Sequence, residues 1–227
     1  MTAPRLPVGR RLGICFHGIG PRRRELESEE AGYWVSRDQF LAILDELVQW
    51  SAIDVSFDDG NASDVEIALP ALRDRGIRGT FYALAGRLDQ AGSLGAEDLR
   101  TLTAAGMEVG THGWSHVPWT SLDAATLRRE VSEARWLLAG AVGRPVTNAA
   151  LPLGRYDGRV LRALRKEAYE RISTSDRTLA RPGAWLAPRF SVYANDSPES
   201  LRQIVSAACR PTARALASAK GAVKRHR

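Results

Sequence analysis

The chain is poor in the residues that announce chemistry. Of its 227 residues two are cysteine, Cys15 and Cys209, and four are histidine. Two distant cysteines make neither a disulfide framework nor a paired-cysteine metal site, so a reducing compartment is the simpler expectation. No window approaches the ~18 apolar residues of a membrane-spanning helix. The opening stretch MTAPRLPVGRRLGICFHGIG carries basic residues but no apolar core of leader length ending in a small-residue cleavage site, so a cytoplasmic protein is expected. Acid is missing from the last stretch, where Arg210, Arg214, Lys220, Lys224, Arg225 and Arg227 stand without a counter-charge. Positions 1–209 then hold 26 basic and 26 acidic residues, so the net charge of +6 belongs to the terminus. That segment, 210–227, reads as a solvated, fraying basic tail able to touch a phosphate or a membrane surface, and nucleic-acid binding is not expected.

What is present is a regular alternation of apolar runs and amphipathic stretches. The length suits a single domain over 1–209, and 44% apolar with 26% charged residues is ordinary for a soluble globular protein. LGICFHG, AIDVSFDDG, IRGTFYALA, MEVGTH, TNAALPLG, YERISTSD and AWLAPRFSV read as strands. Between them, SRDQFLAILDELVQW reads as a helix capped by Ser36, SDVEIALPALRDRG as one that Pro70 kinks and Gly76 ends, and Leu122 to Ala139 as one long helix. DGRVLRALRKEA and SPESLRQIVSAAC follow, the second with Ser197 as cap and Pro198 in its first position. Strands alternating with helices imply a parallel sheet, either a (β/α) barrel or a doubly wound sheet. In both, the loops after the strands build the site, and His17, Asp58, Asp59, His112 and Gly154 all fall where a predicted strand ends.

Two adjacent carboxylates closing an apolar run, as in VSFDDG, repel one another and ionise poorly beside an apolar wall, so a positive group is expected beside them. THGWSH supplies His112 and His116 at a spacing that puts both rings on one side of a helical turn. Two neutral imidazoles and one carboxylate form a common open coordination for a divalent ion, and such an ion keeps a neighbouring Asp ionised as a base.

SFDDG followed some fifty residues later by THGWSH resembles the signatures of the polysaccharide deacetylases, the NodB-type domain of carbohydrate esterase family four. The likeness runs from about Leu12 to Val192, with Ser56 and Gly113 as mild departures. It implies an α/β fold, a distorted (β/α) barrel of about seven strands. It also implies hydrolysis of the acetamido group of an N-acetylated sugar or glycan intermediate, with a divalent metal, most simply zinc, as cofactor. Residue by residue, Asp58 would be the general base and Asp59, His112 and His116 the metal ligands. ALPLG stands for the family's third block with Pro152 and Gly154 in place, Leu153 for its aromatic and no preceding Arg; the backbone near Leu153 and Gly154 can still hold an oxyanion. The late catalytic His is missing, and CFHGI is similar to the N-terminal signature of circularly permuted relatives, which makes His17 the candidate acid. Arg189 either orients Asp58 in place of the missing Arg or forms an ordinary salt bridge. Asp176 is a candidate acid behind the metal ligands, hydrogen-bonding to them and not to the ion, and Trp114, Trp119 and Tyr156 are candidates either for stacking on a sugar or for packing. Two further readings stay open: a carbohydrate-binding homologue without turnover, and a metal-dependent hydrolase of a cyclic amide or a formamide.

Overall fold

Seven parallel strands close on themselves in chain order. The structure, a computed structural model, describes residues 3–226. The strands are β1 (Leu12–Phe16), β2 (Ile53–Phe57), β3 (Gly79–Ala83), β4 (Glu108–Thr111), β5 (Asn148–Ala150), β6 (Arg171–Thr174) and β7 (Leu186–Ser191). Each pairs with the next, and β7 pairs with β1 through Gly13↔Arg189 and Ile14↔Phe190, so the sheet has no edge. The doubly wound alternative is thereby set aside. The barrel is distorted at β5, which has three residues and meets β4 through the single register pair Thr111↔Ala149. The connection from β6 to β7 carries no helix, although the two strands pair through Ile172↔Leu186, Ser173↔Ala187 and Thr174↔Pro188.

Every residue of β1 is buried, as expected of a barrel strand covered on both faces. Phe57 stacks on Phe81 at 4.6 Å, and Phe16 meets Phe40 edge-on at 4.9 Å, fastening α1 (Arg37–Leu47) to the sheet. Helix ends follow local chemistry. Ser36 accepts from the Gln39 amide in a full capping box, and Ser197 caps α7 (Pro198–Ala208) with proline in the first turn. The remaining helices are α2 (Leu69–Asp74), α3 (Ala96–Ala104), α4 (Ala124–Arg128), α5 (Ala134–Val142), α6 (Gly158–Lys166) and α8 (Pro211–His226).

Three sequence expectations change. The long helix expected from Leu122 begins at Ala124, capped by Asp123, and is relaxed into a π turn over Arg129–Glu133 between α4 and α5. A second π turn, Asp64–Ala68, precedes the Pro70 region; the irregularity sits on the N-terminal side of the proline, which cannot donate to the preceding turn. The basic tail is helical: Lys224 of α8 reaches Asp176 at 2.6 Å, and Gly158 leaves room for the Arg225 carbonyl, which a Cβ there would meet at 2.9 Å. Arg227, the last residue of the basic run, lies outside the described residues. No helix among the described residues is long and apolar enough to cross a membrane.

Candidate active site

The end of β2 carries Asp58 into the barrel mouth, and β7 brings a guanidinium to meet it. Arg189 donates from Nη1 to Asp58 Oδ1 and from Nη2 to Oδ2, both at 2.7 Å, and from Nη1 to Ser56 Oγ at 2.8 Å. Gly13 makes room for this side chain, since a Cβ there would lie 2.8 Å from Arg189 Cγ. Burial raises the Asp58 pKa, but the charge and hydrogen bonds of Arg189, with His112 and His17 nearby, outweigh it and hold the carboxyl well below the usual carboxylate range. Arg189 thus grips Asp58 in a bidentate pair, a geometry that both readings of Arg189 share. The positive group expected beside the acidic pair is, for Asp58, a side chain.

Asp59 turns the other way because its backbone is left-handed, with φ of 77°, and Gly60 continues the turn at 65°. Its Oδ1 is buried, has no hydrogen-bond donor among the described residues, and lies 3.5 Å from both His112 Nε2 and His116 Nε2. The opposite nitrogens of the two rings are engaged: His112 Nδ1 on the Ala150 carbonyl at 3.0 Å, and His116 Nδ1 on Glu27 Oε2 at 2.7 Å. Those acceptors place the proton on Nδ1 and leave a lone pair on each Nε2. Burial, only partly offset by Asp58, lowers His112 to about 4, so the ring is neutral. Three acceptor atoms converging on one point repel unless a cation stands between them. Bonds of about 2.1 Å at tetrahedral angles separate ligand atoms by about 3.4 Å. The donor set thus fits a divalent cation.

The loop that presents the two histidines is not a helical turn. Gly113 has φ of 90° and His116 of 56°, and the rings meet through this left-handed loop, with centroids 5.2 Å apart. Glu130, from the π turn and almost fully buried, holds the loop by accepting from the Trp114 amide at 2.6 Å and the Ser115 amide at 3.1 Å. A Cβ on Gly113 would strike Glu130 Oε2 at 2.5 Å, which is the physical reason for glycine here.

A cavity of about 470 Å³ opens above these groups, lined among others by His17, Glu27, Tyr33, Asp58, Asp59 and the two histidines. His17 enters from β1, its ring 4.8 Å from Tyr33, and its Nδ1 is buried without a hydrogen-bond partner among the described residues. Its ring, the Cys15 thiol and Asp58 offer ligand atoms within 4.8 Å of one another. Burial pushes the Cys15 thiol well up, so it is a neutral neighbour there. Leu153 and Gly154 line the opposite wall. The Gly154 amide donates to the Leu151 carbonyl at 3.0 Å and is spent, which removes it as an oxyanion donor; Leu153, left-handed at φ of 54°, is the remaining candidate.

The aromatic expectations are corrected. Trp114 lies under Arg129 at 4.4 Å, Trp119 is fully buried with its N–H toward Glu130, and Tyr156 is buried with its hydroxyl on Asp176 at 2.8 Å. All three pack, and none lines the cavity. Asp176 likewise accepts from Tyr156, Thr174 and Lys224, tying α8 to the barrel instead of serving the histidines. The aromatic wall is Tyr33 stacked on Tyr193 at 4.7 Å. Burial and the mutual contact raise Tyr33 to about 12, so it stays a neutral phenol. Glu27 and Glu130 were also missed; both lie in charged stretches where no spacing singles out one acid.

The structure of Streptococcus pyogenes deacetylase PplD in complex with acetate superposes with a TM-score of 0.74 at 19% identity, over 89% of this chain and 99% of that one. IcaB from Ammonifex degensii gives 0.71 at 20% identity, over 91% and 100%. Both likenesses show the fold. In sequence, YxkH of Bacillus subtilis is 23% identical over 130 residues, 57% of this chain but 45% of that protein, so the chain spans under half of the relative's length. The polysaccharide deacetylase family model matches residues 50–172, from the approach to β2 into β6. Because that match takes in more than half of the chain and both segments from which Asp58, Asp59, His112 and His116 emerge, the chain belongs to the polysaccharide deacetylase family.

Proposed function

We propose that the protein is a metal-dependent N-deacetylase that hydrolyses the acetamido group of an N-acetylated sugar or glycan intermediate. The observation that carries this reading is Asp59 Oδ1, buried, without a donor among the described residues, and 3.5 Å from two imidazole nitrogens whose partner nitrogens are already engaged. Asp59, His112 and His116 would hold the ion. When bound there, a divalent cation such as zinc supplies Lewis acidity to the acetyl carbonyl and lowers the pKa of a water.

The chain's own residues do the rest. Asp58, kept anionic and fixed in orientation by Arg189, takes the proton of the attacking water. Leu153 lines the cavity, and its main-chain N–H would be the donor to the negative charge that develops on the carbonyl oxygen. An amine leaves poorly unless protonated, and the His17 imidazole, which lines the same cavity near Asp58, would give the proton. Tyr33 and Tyr193 offer a stacked face for a sugar ring.

The test is acetate release from acetamido sugars by protein of known metal content, with and without chelator. Asp58→Asn should lose roughly 10²-fold to 10⁴-fold in rate with its metal retained. Unchanged hydrolysis by Asp58→Asn, or activity that survives complete metal removal, overturns the assignment.

A further inference from the structure

The cavity lining carries charges of both signs. The segment before α1 contributes Glu27, Glu29 and Glu30, and the segments after β5 and β6 contribute Arg155 and Arg177. The acids are mostly spent. Glu27 binds His116 and pairs with Arg87, and Glu30 pairs with Arg24, which leaves Glu29, beside Tyr33, as the lining acid not engaged in this way. The arginines are not spent: among the described residues neither guanidinium pairs with a carboxylate.

Arg177 is held in place without being neutralised. Its guanidinium lies 5.4 Å over the Tyr193 ring and 5.6 Å over Phe190, and its Nη1 reaches the Ser191 carbonyl at 3.5 Å. Its backbone is left-handed at φ of 49°, and its amide is tied to the Arg189 carbonyl at 3.1 Å. The acid beside it in sequence, Asp176, is turned away and filled by Tyr156, Thr174 and Lys224. Lys224 of α8, with Tyr156 and Thr174, thus occupies the carboxylate that neighbours Arg177 in sequence. A half-buried arginine braced on aromatic rings, next to the face offered for a sugar, is a receptor for an anion.

We propose that the acetylated sugar this site accepts carries an anionic group, a phosphate or a carboxylate, which Arg177 receives with Arg155 at the cavity mouth. The inference rests on the deacetylase reading above and narrows its substrate class. One cavity of about 470 Å³ holds a sugar ring together with such a substituent.

The experiment compares methyl N-acetylglucosaminide, which is neutral, with N-acetylglucosamine 1-phosphate and N-acetylmuramic acid, which carry a phosphate and a carboxylate. For each probe, kcat/KM for acetate release and calorimetric affinity are measured on the metal-loaded full chain. At least one charged probe should be favoured by roughly 10-fold to 100-fold, the gain of a charge-assisted contact, and the preference should fall with added salt. Which charged probe wins names the source of the anion. Arg177→Gln should bring the preference toward one, and Arg177→Lys should restore part of it. If Arg177→Gln does not fold, Arg155→Gln and the salt dependence of the wild type carry the test. Equal treatment of neutral and charged probes, or a preference that survives Arg177→Gln, overturns the inference while leaving deacetylation standing. If no probe releases acetate, the deacetylase reading fails, and the affinities still decide whether the cavity selects charge.

Discussion

Replacing Arg189 by methionine removes a cation from the barrel interior and leaves the Asp58 carboxylate behind. Both residues are 3% exposed, and their two hydrogen bonds are 2.7 Å long, so the little water that reaches Asp58 from the cavity would replace them poorly. Breaking a buried ion pair from one side costs about 3–5 kcal/mol, most of it the stranded charge. Methionine replaces much of the aliphatic stem between Gly13 and Tyr82, so little of the loss comes from a cavity. For a chain of 227 residues, each kcal/mol moves the melting temperature by about 2–4 °C, so the variant should melt roughly 6–20 °C lower. Asp58→Asn should also destabilise, since it strands the guanidinium. The double variant should recover a coupling of about 1–3 kcal/mol against the sum of the single losses. Urea midpoints with unchanged slopes, supported by calorimetry, measure all three. A drop of less than about 2 °C for Arg189→Met, or strictly additive losses, refutes the reasoning, because Asp58 would then be solvated by something other than Arg189.

Two further predictions rest on single contacts. Glu27→Gln weakens the acceptor on His116 Nδ1 and should reduce metal affinity roughly 10-fold to 100-fold in a competition titration; an unchanged affinity would make Glu27 a surface acid that merely touches the ring. Glu30 is pushed up by burial but held down by the Arg24 guanidinium and the Glu27 amide, to about 2. Since its folded pKa is depressed, its contribution is complete above the unfolded carboxylate range and is lost as pH falls from about 4.5 toward 2. The stability gap between wild type and Glu30→Gln should therefore shrink by roughly 2–3 kcal/mol across that window, read from denaturation midpoints, and a constant gap refutes it.

The strands and the ligand trio were legible because a barrel strand is an apolar run whose far end must show its polar cargo. VSFDDG and MEVGTH both do so, and a closed parallel sheet brings those ends to one rim. The helical-turn reading of His112 and His116 failed for a local reason. Spacing of four residues is shared by a helical turn and by a loop folded back through left-handed residues, and Gly113 was the sign of the second. The aromatic wall was missed because proximity to the motifs in sequence was taken for proximity in space. Trp114 and Tyr156 follow their motifs directly yet point into packing, whereas Tyr193 lies two residues beyond the end of β7. The strand-end rule that picked out His17 and Asp58 applies equally to Tyr193. Tyr33 and Glu27 had no such signal, since both sit in the irregular segment between β1 and α1 whose path only the tertiary fold decides.

Closure of the barrel bears on the departure that most strained the family resemblance, the absence of a late histidine. Where β7 ends, the sequence offers Arg189 and Ser191 and no imidazole. Yet β7 is hydrogen-bonded to β1, with Cys15 opposite Ser191, so the residue two positions beyond Cys15 emerges in the same sector of the rim as the segment after β7. That residue is His17, with its Nδ1 buried and without a hydrogen-bond partner among the described residues and its ring against Tyr33, which in turn stacks on Tyr193 from β7's own exit loop. A group delivered by the first strand and one delivered by the last are neighbours in a closed sheet, however far apart they stand in the chain. This adjacency supports the proposal that His17 performs the protonation otherwise assigned to a late histidine. It also ties that step to Arg189, because the pairing of β1 with β7 that places His17 is the same pairing that sets the guanidinium against Asp58.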